Sequence, residues 1–161
     1  MQAPTGSPNP NPQSMAWKSV SVVTHAKPER VWEVYSAFRW QEWDHDIESM
    51  NAVQGGGLVD GSQVRITMKK DRKTHVATFS EVSRNQCFTY TAPLPGSSLV
   101  AVHRLEALQE GGLVTGTRIT HSFDFTGYLA GGLFRWLTAD YVQHGLEANT
   151  AILKQLAEAD A

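Results

Sequence analysis

Two histidines carry the most specific chemical signal in this sequence. In the run 98–108, Leu99, Ala101, His103 and Leu105 alternate with Val100, Val102, Arg104 and Glu106. In the run 114–125, Thr117, Ile119, His121, Phe123 and Phe125 alternate with the polar Arg118, Thr120, Ser122 and Asp124. A period of two marks a half-buried strand, so the mostly apolar set faces inward and takes both histidines with it. A hairpin closed around Glu110 to Gly112 pairs odd positions with odd, which predicts His103 opposite or diagonal to His121. A neutral imidazole donates from one nitrogen and accepts at the other. The pair could therefore bind a carbonyl or hydroxyl, or remove a proton as a general base. An inward histidine can equally be a core residue satisfied by a backbone or water partner.

Other chemistry is thinner. Zinc requires three or four ligands, and His25, His45, Asp46, His75 and His144 show no H-x-H or H-E-x-x-H spacing, so no metal is expected. His45 and Asp46 read as a solvated loop. Cys87 has no neighbour in sequence that would make it a nucleophile and reads as strand packing. Nucleotide-binding and serine-hydrolase fingerprints are absent, Gly55-Gly56-Gly57 is a turn, and no cofactor is expected.

Aromatic residues extend the candidate pocket. Across a tight Arg84-Asn85 hairpin, Phe79 and Glu81 share a face with Phe88 and Tyr90, and Trp32 and Tyr35 can meet them from a helix. A buried phenol needs a hydrogen-bond partner that a ligand could supply, which singles out Tyr90 and Tyr141. The predicted ligand-lining set is Tyr35, Phe79, Phe88, Tyr90, His103, His121, Phe123, Leu137, Tyr141 and Gly145, with His121 and His103 as the catalytic candidates.

The elements that must position these residues follow from local signals. A first strand is predicted over Trp17 to Thr24. Pro28 starts a helix with Val31, Val34 and Tyr35 on one face and Glu29 at its positive end. A short helix or turn holds Phe38 to Trp43. Strands are expected at 46–53, 62–69, 73–83, 86–92, 98–108 and 114–125, joined by turns into an antiparallel meander. The cationic run Lys69-Lys70-Asp71-Arg72-Lys73 is one such turn, and Pro93 to Gly96 could act as a lid. Arg65, flanked by Val64 and Ile66, is expected to point to solvent. A helix from Tyr128 to Ala157 carries Leu133, Leu137, Tyr141, Ala148, Ile152 and Leu156, and at 1.5 Å per residue would run roughly 45 Å. Gly145 lies on that stripe and costs about 1 kcal/mol relative to alanine, so a close strand or a ligand is expected there.

Composition bounds the answer. The 161 residues are 41% hydrophobic with 14 basic and 16 acidic side chains, a formal net charge of -2 that gives no reason to expect nucleic acid. Met1 to Ser14 holds four prolines and almost no apolar side chains, and is expected to be a disordered tail before one domain over 15–161. No leader-like or membrane-spanning apolar run is evident, and the single Cys87 suits a reducing compartment. A cytoplasmic monomer or homodimer is the expectation.

Taken in order, Ala26-Lys27-Pro28-Glu29-Arg30-Val31-Trp32, Trp40-Gln41-Glu42-Trp43, the late Gly116-Thr117-Arg118-Ile119-Thr120 and the final helix resemble the START-like (SRPBCC) superfamily, near its polyketide cyclase/dehydrase-like branch. The resemblance covers residues 17–157. It implies an α+β helix-grip (START/Bet v 1-like) fold: a curved antiparallel sheet of six or seven strands wrapped on a long C-terminal helix, with two short helices after the first strand. It implies a hydrophobic small-molecule ligand, of lipid, polyketide or aromatic type, in an internal cavity. Two alternatives stand beside that: a cyclase or dehydratase using a pocket histidine, and a protein-interaction module like the chaperone-activator relatives.

Overall fold

A computed structural model describes residues 16–53 and 56–159. The expected tail, 1–14, lies outside the described residues, as does Gly55 of the glycine turn. The chain runs β1 (Lys18–Thr24), α1 (Pro28–Ser36), a 3-10 turn at Trp40–Glu42, then β2 (Ile47–Val53), β3 (Gln63–Met68), β4 (Thr74–Ser83), β5 (Cys87–Leu94), β6 (Ser97–Glu110) and β7 (Leu113–Gly127). A second 3-10 turn, Tyr128–Ala130, leads into α2 (Gly132–Ala159). The strands form one antiparallel sheet in the order β1-β7-β6-β5-β4-β3-β2, a meander with β1 returning to its far edge.

α1 begins where proline's fixed φ suits the first helical turn and buries Val31, Trp32 and Tyr35. Its last turn leaves carbonyls open, and the Trp40 indole N–H donates to one of them, Tyr35 O, at 2.8 Å. That bond seats Trp40 among Phe79, Phe88 and Tyr90, at ring separations of 6.1, 5.8 and 5.5 Å. Val64 and Ile66 face this core while Arg65 is exposed, as the alternation predicts.

The β6–β7 hairpin closes through Gly111 and Gly112, whose φ values of 58° and 81° suit the tight two-residue hairpin turn that side chains disfavour. Such a turn alone, with Glu110 opposite Leu113, pairs odd with even positions. A bulge restores odd-with-odd: Gln109 faces Val114 and Leu108 faces Gly116, leaving Thr115 as the additional residue. From there His103 pairs directly with His121.

Four expectations need correction. The terminal helix starts at Gly132, after the 3-10 turn. Leu133, Leu137 and Tyr141 are 72%, 65% and 58% exposed, because the face turned toward the sheet lies one residue, about 100° of helix rotation, past the expected row. The inward row is instead Phe134, Thr138, Val142, Leu146, Asn149, Leu153 and Ala157. Pro93 and Leu94 belong to β5, paired with Ser98 and Ser97, so only a tight turn remains where a lid was expected. Glu81 does not share the face of Phe79, since a register break between Ser80 and Ser83 turns it outward, where it accepts from Thr89 Oγ1 at 2.9 Å.

Candidate functional site

A cavity of about 380 Å³ lies between the sheet and α2. Its sheet side is built from Tyr90 and Ala92 of β5, Leu99, Ala101 and His103 of β6, and His121, Phe123 and Phe125 of β7. α2 contributes Phe134, Thr138, Tyr141, Val142, Gly145, Leu146 and Asn149, and the remaining wall comes from Trp40, Trp43, Asp44, Asp46, Ile47, Ile66 and Met68. Lys70 and Asp71 at the β3–β4 turn and His75 complete the rim.

Six of the ten residues predicted to line a pocket converge here: Tyr90, His103, His121, Phe123, Tyr141 and Gly145. Tyr35, Phe79 and Phe88 are fully buried in the aromatic core beneath it, and Leu137 turns to solvent one position before the inward Thr138 and three after the inward Phe134. At Gly145 an added Cβ would meet only His45 Cε1, at an ordinary 3.5 Å, so no strand approaches there.

The two histidines, 4.4 Å apart between ring centroids, have opposite hydrogen-bonding fates. Thr150 Oγ1 donates its proton to Leu146 O at 2.5 Å, so toward His121 Nδ1, 3.2 Å away, it can only accept. His121 is thus protonated on Nδ1, and its Nε2 accepts from the Tyr35 hydroxyl at 2.7 Å. Burial pushes its pKa down to about 3, fixing the neutral form. His103, only 5% exposed, stacks on Phe88 with centroids 4.5 Å apart and planes 10° from parallel. Neither of its nitrogens has a hydrogen-bond partner among the described residues. Burial, then the neighbouring His121, hold its pKa well below the usual histidine value.

The loop read as solvated does more than expected. His45 Nδ1–H donates to Asn149 Oδ1 at 2.7 Å, and the Tyr141 hydroxyl donates to Asp46 Oδ1 at 2.8 Å, so His45 and Asp46 are bonded to α2 across the cavity mouth. Asp44 accepts from Asp46 N–H at 3.0 Å. Its pKa is pushed up to about 6, mainly by burial. Potential ligand atoms of these three residues lie within 4.8 Å of one another, each already engaged within the protein. Trp43, Asp44 and Asn149 line the cavity outside the predicted set; the readable hint was Asn149, an amide four positions after Gly145 on the face of α2 that carries Leu146 and Leu153. Tyr90 adds a hydroxyl with no hydrogen-bond partner among the described residues, its pKa raised by burial and then by the charges of Asp44 and Asp46.

A mostly apolar cavity between a seven-stranded antiparallel sheet and one long helix defines a helix-grip fold. Residues 15–158 match the family described as polyketide cyclase / dehydrase and lipid transport, and the chain belongs to it. The fold is shared with solved structures of low sequence identity. Protein NE0264 from Nitrosomonas europaea aligns with a TM-score of 0.68 at 15% identity over 89% of this chain and 95% of its own. Ara h 8.0201 aligns at 0.61 and 17% identity, over 86% and 95%. DynU16, from the dynemicin biosynthetic locus, aligns at 0.63 and 14% identity, over 89% of this chain and 47% of its own. No curated protein sequence matches. Among the described residues no helix is long and apolar enough to cross a membrane.

Proposed function

We propose that this protein binds a hydrophobic small molecule, of lipid, polyketide or aromatic type, in the cavity between its sheet and α2. The observation that carries the reading is the cavity itself: about 380 Å³ walled by Trp40, Trp43, Phe123, Phe125 and Phe134, against the buried aromatic core. The family's description and the Bet v 1-like neighbours support the same class. The test is saturable uptake of a neutral apolar fluorophore by wild-type protein and by Gly145→Leu. Leucine improves helix propensity and fills the roof, so the variant should fold and lose the probe. Undiminished affinity in a folded variant would overturn the reading.

A cyclase or dehydratase reading has one specific observation in its favour. His103 is neutral and unpartnered in the cavity wall, whereas the lone pair of His121 is already occupied by Tyr35. Of the two candidates, His103 is therefore the one able to take a substrate proton. Turnover of a model β-hydroxyketone, abolished in His103→Phe, would establish it; no turnover above buffer would leave a binder.

A further inference from the structure

Resting on that reading of the cavity, we propose that its ligand is a neutral molecule bearing a hydroxyl group on an apolar ring body, and that the site discriminates against carboxylates. The argument starts from unmet hydrogen bonds. His103 is 5% exposed, lines the cavity, and has no partner on either nitrogen among the described residues. A buried polar group left unpaired is costly, and the neighbouring His121 shows how this fold satisfies an imidazole when it needs to, filling both nitrogens with Tyr35 and Thr150. The difference between two rings 4.4 Å apart marks His103 as the one whose partner arrives with the ligand.

A hydroxyl both donates and accepts, so it fits His103 in either tautomer, and it also fits the free phenol of Tyr90, whose ring lies 5.9 Å from that of His103. The flat, stacked arrangement of His103 on Phe88 and of Tyr90 beside it favours a ring body over a single flexible chain. Charge decides the rest. The cavity lining contains the carboxyls of Asp44, Asp46 and Asp71 and, as its only lysine or arginine among the described residues, Lys70, which shares the exposed β3–β4 turn with Asp71. Arg135 of α2 is held by Asp124 and is not part of the lining. A carboxylate brought inside would meet Asp44 and Asp46, the neutral His103 and His121 and no buried cation, with Asp71 beside Lys70 at the rim, so it would lose its hydration without gaining a counter-charge.

The experiment uses the full chain and three probes with one ring system: naphthalene, 1-naphthol and 1-naphthoate, titrated at neutral pH and followed by tryptophan fluorescence. Expected is naphthol binding about tenfold tighter than naphthalene, the size of one buried hydrogen bond, with naphthoate weaker than naphthalene. In His103→Phe the naphthol-to-naphthalene ratio should fall toward one. If that variant does not fold, Tyr90→Phe, which deletes one oxygen, supplies the second readout and should reduce the ratio in the same direction. Equal affinities for naphthol and naphthalene in the wild type, or naphthoate binding tightest, would overturn the proposal while leaving the cavity reading intact. Failure of all three probes to bind would overturn the cavity reading and this proposal together.

Discussion

At the scale of single residues, the two histidines should separate in stability as cleanly as they do in hydrogen bonding. His121→Phe strands the Tyr35 hydroxyl in the core and should cost about 1–3 kcal/mol. His103→Phe removes a group that had no partner and replaces it with a ring, so it should stay within about 1 kcal/mol of wild type. Urea unfolding midpoints of the two variants check this, and equal losses would refute the assignment of one histidine as satisfied and the other as open. The facing of His103 and His121 was legible in the sequence because period-two alternation persists through both strands. Which of them is satisfied was not, because the answer sits on Tyr35, 86 positions from His121, and on Thr150, 29 positions away. Asp44 was hidden for a related reason: a carboxylate next to His45 in a polar tripeptide looks solvated until α2 closes over it.

Among the secondary elements, α2 is the one whose expected and observed faces differ most. Its existence and its unbroken span across 135–155 follow from its composition, whereas its buried face keeps the expected spacing but lies one residue further along the chain. Leu156 and Ile152 of that row do pack on the core, whereas Leu133 and Leu137 have rotated into solvent. Bulges are the other element-scale feature that alternation conceals, as Glu81 illustrates. Gly145 offers a clean test of how α2 is built. An added methyl there meets only His45 Cε1 at van der Waals distance, so Gly145→Ala should stabilise the protein by about 0.5–1 kcal/mol through helix propensity alone. Thermal unfolding reads this out. A destabilised alanine variant would show that α2 lies closer to the Asp44–Asp46 loop than the structure places it.

For the whole molecule, the buried titratable groups set how stability depends on pH. His121 and His103 stay neutral in the fold but take up protons near pH 6.5 when unfolded, so stability should fall as pH drops below about 6.5 toward the folded value near 3 for His121. Asp44 works in the opposite direction. Its carboxyl is protonated in the fold below about 6 but in the unfolded chain only below about 3.8, so between those values the fold holds one additional proton. The net difference from these three groups over that window is about one proton, a slope near 1.4 kcal/mol per pH unit. Asp44→Asn removes the opposing contribution and should steepen the acid limb to about 2.7 kcal/mol per pH unit, measurable by denaturant titrations from pH 6 to 4.5. An unchanged slope in that variant would show that Asp44 titrates normally.

The bulge at Thr115 has a consequence for insertions and deletions. Because Thr115 is the one residue of β7 without an opposite number, removing it leaves Glu110 against Leu113, Gln109 against Val114 and Leu108 against Gly116 in an uninterrupted ladder, with every later pair, including that of the two histidines, unchanged. Deleting Arg118, three positions on, could draw Thr115 into the ladder only by setting it where Gly116 stands, and a Cβ there would lie 2.3 Å from Thr24 O. The ladder between Gly116 and His121 would have to slip, and a slip of one residue sends His121, Phe123 and Phe125 to the opposite side of the sheet. The ΔThr115 protein should therefore fold and keep its cavity, whereas ΔArg118 should not, and limited proteolysis of the two would separate them. A lineage of such chains can thus lengthen or shorten by one codon at this spot without disturbing what the sheet encloses.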